Sequence, residues 1–79
     1  KSLLPIGIVQ ITGSFTKGDV VGLQSLSGEE IGRGLSNYDS DHAERIMGLQ
    51  SNKIQEVLEH SPYVEVVHRD NLVVTMHNP

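Results

Sequence analysis

Towards its C-terminal end the chain carries Val67-His68-Arg69-Asp70-Asn71-Leu72-Val73-Val74, in which a carboxylate directly follows an imidazole and a guanidinium. An aspartate in such a string can accept the proton of a substrate hydroxyl during phosphoryl transfer, provided that an asparagine five residues later holds a metal ion. The fifth residue after Asp70 is Thr75, and Asn71 is adjacent to Asp70, where it cannot fill that role. The β-branched run that follows is strand chemistry. The octet therefore does not encode that reaction. It reads as a polar turn between two late strands, in which Asp70 and Asn71 bond local backbone and Arg69 pairs with an acidic neighbour.

The other chemistry-bearing residues give equally little support for catalysis. Gly32 and Gly34 form a G-x-G without the third glycine or the following helix of a phosphate-binding loop, so a bulged strand is the simpler account. His42, His60, His68 and His77 include no pair at metal-ligand spacing and read as surface residues. Asp39 and Asp41 could act as an acid and a base if their environments separated their pKa values, but capping alone places acidic residues at a helix start. Ser14, Ser25, Ser27 and Ser36 sit in or beside turns without a nucleophile-elbow pattern. For nucleic acid, Lys1, Lys17, Arg33 and Arg69 could form a phosphate-contacting strip. Stacking capacity is poor, since Phe15, Tyr38 and Tyr63 are the only aromatics.

Composition narrows the classes further. A chain of 79 residues has room for one small domain and cannot hold a two-lobed enzyme. It has no cysteine, so packing alone must hold the core, as is usual in a reducing cytoplasm. No apolar run approaches the roughly 20 residues of a membrane span, and no leader opens the chain. Six Lys plus Arg against ten Asp plus Glu give a formal charge of −4, which argues against a general affinity for phosphate backbones.

These residues must be positioned by an α+β arrangement of three blocks. In the first, β-branched residues alternate with polar ones, giving expected strands at Ile6–Ile11, Val20–Leu26 and Glu30–Leu35. Turns at Thr12–Ser14, Thr16–Asp19 and Ser27–Glu29 punctuate them, and Gly32 and Gly34 mark a bulge or the close approach of another backbone. In the second block Ser40 or Asp41 is expected to cap a helix through Met47, with Gly48 in the left-handed C-terminal position. Ser51 is expected to cap a second helix whose apolar stripe is Ile54, Val57 and Leu58 and which Pro62 stops. The third block returns to strands at Val64–Val67 and Leu72–Met76, and Asn78 and Pro79 read as a frayed end.

Read in order, Leu3-Leu4-Pro5-Ile6-Gly7-Ile8, Phe15-Thr16-Lys17-Gly18-Asp19-Val20-Val21, and Gly28 with Ile31 and Gly34 resemble a PUA domain, a small pseudo-barrel module of RNA-modifying enzymes. Gly34-Leu35-Ser36-Asn37-Tyr38, Arg45-Ile46-Met47-Gly48, Ile54 to Leu58 and Val67 to Leu72 are similar to the PUA domains that close bacterial glutamate 5-kinases. The resemblance implies a single PUA domain over residues 1–79, a pseudo-barrel of short strands with a helical hairpin before the last of them. It implies no catalytic, cofactor or metal residue in this chain. ATP and magnesium would belong to a separate kinase domain that phosphorylates L-glutamate in cytoplasmic proline synthesis. The implied partner is that kinase domain, in a regulatory or assembly role; the alternative is a free-standing RNA-binding module. Lys1, Pro5, Gly7, Lys17, Arg33 and Arg69 are the candidate RNA or partner surface.

A PUA domain usually begins with a strand and a helix ahead of the Leu-Leu-Pro-x-Gly segment, whereas this chain starts at Lys1. Their absence is expected to leave a sheet edge and an apolar face uncovered at Leu3, Leu4, Ile54, Val57 and Leu58. Exposed edges recruit other chains, so self-association is expected.

Overall fold

Alternation along Val20-Val21-Gly22-Leu23-Gln24 produces β1 (Val20–Gln24), whose residues are exposed and half-buried in turn. It pairs antiparallel with β2 (Glu30–Leu35) from Val20 opposite Leu35 to Gln24 opposite Glu30, with the register shifting between Leu23 and Gln24. The connecting turn is closed by hydrogen bonds from Ser25 N–H to the Glu29 carbonyl and from Gly28 N–H to the Ser25 carbonyl, both 2.9 Å. β3 (Leu72–Val74) lies on the other side of β2, with Leu72 opposite Gly34 and Val74 opposite Gly32. The computed structural model describes residues 2–59 and 63–75. Lys1, His60, Ser61, Pro62, Met76, His77, Asn78 and Pro79 lie outside the described residues.

The two glycines of β2 make this sheet possible. A Cβ at Gly34 would lie 2.5 Å from Val67 Cγ1 and 2.6 Å from the Asn71 carbonyl oxygen, and one at Gly32 would lie 2.9 Å from the Val73 carbonyl oxygen. Backbone fills the space a side chain would need. The close approach read from the sequence is therefore present at these glycines, and the bulge lies beside them on β2, where Ile31 is the extra residue between Gly32, opposite Leu23, and Glu30, opposite Gln24.

Two short helices follow. α1 (Ser40–Ile46) is capped by Asp39, whose Oδ1 accepts from His42 N–H at 2.8 Å. This corrects the expected cap at Ser40 or Asp41: Asp39 is the last extended residue, and Ser40 is already helical and buried. Gly48 has φ of +79°, as its place after the helix requires, and its N–H donates to the Pro5 carbonyl at 2.6 Å. α2 (Ser51–Val57) starts at Ser51 itself, the residue expected to cap it; the cap position is Gln50, which is extended and makes no side-chain capping bond.

Two expected strands are absent. Residues 6–11 do not join the sheet: Pro5 opens a 3₁₀ turn at Pro5–Gly7 instead, and the Ile8 N–H returns to the Pro5 carbonyl at 3.0 Å. A fixed proline φ at the first helical position favours that turn over a ladder. Residues 64–67 form only an isolated bridge between Val67 and Leu3. Their backbone is claimed elsewhere, since the Val66 carbonyl accepts from Asn37 N–H at 2.8 Å and the Glu65 carbonyl accepts from Asn37 Nδ2 at 3.1 Å.

The core comprises Tyr38, Ala43, Ile46, Ile54, Leu58, Val66 and Val67, with Leu3, Ile8, Ile11, Phe15, Val21, Leu23 and Leu72 half-buried against it. Burying an aliphatic side chain of this size stabilises by roughly 1.5–3 kcal/mol, so the helices and residues 66–67 contribute most of the apolar driving force. The stripe expected to lie uncovered does not: Ile54 is 2% exposed and Leu58 7%, and Leu3 bridges to Val67. Of that group Leu4 alone is classed as exposed. Among the described residues no helix is long and apolar enough to cross a membrane.

Candidate functional site

The turn at 16–19 is held from both sides. Thr16 N–H donates to Asp19 Oδ2 at 2.9 Å, and Asp19 N–H returns to the Thr16 carbonyl at 3.1 Å. Gly18 N–H donates to the Ser36 carbonyl at 2.8 Å and Ser36 N–H to the Asp19 carbonyl at 2.9 Å, which fixes the turn to the end of β2. So positioned, Lys17 places its Nζ 4.7 Å from the centre of the Tyr63 ring. Tyr63 in turn meets Tyr38 edge to face at 6.0 Å, and the Tyr38 hydroxyl donates to the Tyr63 carbonyl at 2.6 Å.

Below this aromatic pair opens a cleft of about 580 Å³, bounded by Lys17, Asn37, Asp39, His42 and Arg45 on one side and by residues 56–59 on the other. Its lining carries both signs of charge, with Lys17 and Arg45 beside Asp39, Glu56 and Glu59. Several polar groups already have partners. His42 Nδ1 lies 2.8 Å from both Asp39 oxygens, Arg45 Nη2 donates to the Val57 carbonyl at 3.1 Å, and Lys53 lies 3.7 Å from Glu56. The His42 backbone N–H, and then its ring, hold the Asp39 carboxyl below its ordinary value of 3.8. A general acid at neutral pH needs the opposite shift. Ser40 Oγ, the nearest hydroxyl by sequence, accepts from Phe15 N–H at 3.2 Å and donates to the Phe15 carbonyl at 3.3 Å, so it acts as a tie between segments. The cleft has the composition of a contact surface, not of an acid–base or nucleophilic centre.

The residues singled out from the sequence are dispersed. Lys17 lines the cleft, whereas Arg33 lines a separate groove of about 220 Å³ on the sheet. Arg33 Nε donates to Glu30 Oε1 at 2.8 Å, and Thr75 Oγ1 donates to Glu30 Oε2 at 3.0 Å. Together these bonds lower the Glu30 pKa below its ordinary 4.5, the Arg33 bond most strongly. Pro5 is buried and Gly7 is exposed; with Arg69 they line neither cavity. Lys1 lies outside the described residues.

The His-Arg-Asp string forms a 3₁₀ turn at Arg69–Asn71 that leads into β3. Its cap is a histidine: His68 Nδ1 accepts from Asp70 N–H at 3.1 Å. The Asp70 carboxylate, expected to bond backbone, instead lies 3.5 Å from His68 Nδ1 and is otherwise exposed. Among the described residues the Arg69 side chain makes no ion pair, contrary to the expected acidic neighbour; its N–H donates to Ser2 Oγ at 2.9 Å. No group of three or more potential ligands that could hold a metal ion occurs among the described residues.

Sequence reasoning missed Ser36-Asn37-Tyr38 as a structural unit. Ser36 Oγ donates to the Tyr38 carbonyl at 2.6 Å, Asn37 takes the carbonyls of Glu65 and Val66, and Tyr38 takes that of Tyr63. Asn37 and Tyr38 thus fasten the returning chain to the end of β2, with Ser36 holding Tyr38 in place. No local signal marks such a role, because every acceptor beyond Ser36 is more than twenty residues away.

Residues 1–58 match the model of the PUA domain. The chain belongs to the PUA domain family. The glutamate 5-kinase of Dictyoglomus thermophilum is 51% identical to it over 74 residues, 94% of this chain and 20% of the relative. That of Teredinibacter turnerae is 48% identical over 75 residues, 95% of the chain and 20% of the relative. That of Rhodopirellula baltica is 51% identical over 74 residues, 94% of the chain and 19% of the relative. The PUA domain described here therefore spans about a fifth of the length of the curated relatives it matches. Its α+β fold and the similarity to glutamate 5-kinases agree with the reading of the sequence.

Proposed function

We propose that this PUA domain is the accessory module of a glutamate 5-kinase and that it regulates or helps assemble the enzyme without taking part in the chemistry. On this reading a separate kinase domain of the same polypeptide, supplied with ATP and magnesium, phosphorylates the γ-carboxylate of L-glutamate in cytoplasmic proline synthesis. The observation that carries the proposal is the similarity of nearly the whole chain, about half of its residues identical, to proteins of that one name. The pairing of His42 with Asp39 and of Arg45 with the Val57 carbonyl in the cleft fits a non-catalytic role.

The test compares the full polypeptide with a version lacking residues 1–79. Glutamate- and ATP-dependent phosphoryl transfer should persist on deletion, while its regulation or the oligomeric state changes. Complete loss of turnover by a truncated enzyme that remains folded would overturn the reading. Salt-sensitive RNA binding by the full protein, with regulation and assembly untouched by the deletion, would favour an RNA-binding module instead.

A further inference from the structure

We infer that the outer face of the sheet, at Val20, Leu35 and Val73, is where the domain docks against the kinase part of its own polypeptide; the inference rests on the functional reading above. Val20 is 66% exposed, Val73 65% and Leu35 40%. They are contiguous: Val20 is opposite Leu35 and Arg33 opposite Val73, and together with Gly34 and Asn71 they line one groove of about 220 Å³. Isolated exposed aliphatics need no explanation, but a continuous strip across three strands marks a contact surface.

The charged side chains on this face, Glu30 and Arg33, are bonded to each other. Gly22, opposite Arg33, leaves room for the Glu30 side chain, whose Oε1 would lie 3.6 Å from a Cβ at that position. Glu30 bonds Arg33 through one oxygen and Thr75 through the other. Arg33, the one cation among the described residues that line the groove, is thereby paired, which reduces the cost of covering it with apolar protein and disfavours its use on a phosphate backbone. The partner is accordingly a protein surface presenting aliphatic or aromatic side chains.

Size selects the tethered partner. A free-standing interface needs roughly 800 Å² per partner, far more than three aliphatic side chains and a glycine supply. A covalently linked domain faces its neighbour at an effective concentration of order millimolar, so a small apolar contact suffices. The relatives are about five times as long as this chain and so contain such a neighbour.

The experiment uses the full polypeptide carrying Val73→Cys or, as a control at the tip of the β1–β2 turn, Leu26→Cys, where Leu26 is 90% exposed. Alkylation of each thiol is followed by mass spectrometry of its own peptide, in native buffer and in urea. The Val73→Cys thiol should react at least tenfold more slowly in the native protein than in urea, at every protein concentration, while the Leu26→Cys thiol shows less than threefold protection. Equal native rates at the two positions would overturn the inference, as would protection at Val73 that disappears on dilution, which would identify a second copy as the occupant. An unprotected Val73→Cys thiol in a protein that still phosphorylates glutamate sinks the docking surface alone, whereas absence of that activity in the unmodified protein sinks the functional reading.

Discussion

The two faces of β2 follow opposite rules. Inward, Gly32 and Gly34 are buried beneath Val73, Val67 and Asn71, and no side chain fits. Outward, Arg33 and Leu35 are exposed, and their neighbours on β1 and β3 are exposed as well. A strand repeats every two residues, so one six-residue segment can serve both as the closure of a small core and as an open contact surface. The inner face tolerates little change because backbone closes over it. The outer face tolerates much because only solvent faces it in this domain.

The contrast can be broken most severely at Gly34. Gly34→Val should destabilise the domain by about 3 kcal/mol or more, since a backbone carbonyl and Val67 must both move, whereas Leu35→Ser one residue later should cost under about 1 kcal/mol. Urea denaturation of the two variants measures the difference, and comparable losses would erase the distinction between the faces. Next in size is the clamp that holds the returning chain under β2. Tyr38→Phe keeps the buried ring but removes the donor to the Tyr63 carbonyl, and should cost about 1–2 kcal/mol in the same assay.

Acid provides a third probe. Asp39 is held below 3.8 and Glu30 below 4.5, so each binds protons less readily in the folded than in the unfolded chain. Their stabilisation is complete above pH 4.5 and is lost as the pH falls below 4.5 for Glu30 and below 3.8 for Asp39. Denaturation midpoints measured from pH 6 to pH 3 should fall, and Asp39→Asn should flatten part of that fall. A midpoint that rises towards pH 3 would reverse the assignment. The smallest effect is expected at Asp70, whose carboxylate sits outside both faces. Asp70→Asn should change stability by less than about 0.5 kcal/mol and leave phosphoryl transfer by the full polypeptide unchanged. A large loss of transfer with folding intact would restore a catalytic role to the His-Arg-Asp string.

Local sequence was a good guide where local chemistry decides. The turn at Thr16–Asp19, the strand Glu30–Leu35, the left-handed Gly48 and the buried stripe of α2 follow from glycine, aspartate and apolar spacing, and all are present. It misled where a segment resembled a strand but had no neighbour to pair with. Ile6–Ile11 alternates correctly, yet Pro5 starts a 3₁₀ turn, and the run Val64–Val67 gives its Glu65 and Val66 carbonyls to Asn37. The candidate surface was legible only in part: Arg33 reads in the sequence as part of an RNA or partner surface, and its pairing with Glu30 depends on side-chain placement across the face of β2.

By itself, then, the sequence determined the family, the α+β composition and the positions of most turns and helices. These are properties of residue type and spacing within a few positions. Tertiary structure alone decided that Val67 and Asn71 close over Gly34, that Tyr38 clamps the returning chain, and that Val20, Leu35 and Val73 stay exposed. The physical reason is that burial and hydrogen-bond partnership are set by residues distant in the chain. A valine reads the same in sequence whether a neighbouring strand covers it or solvent does.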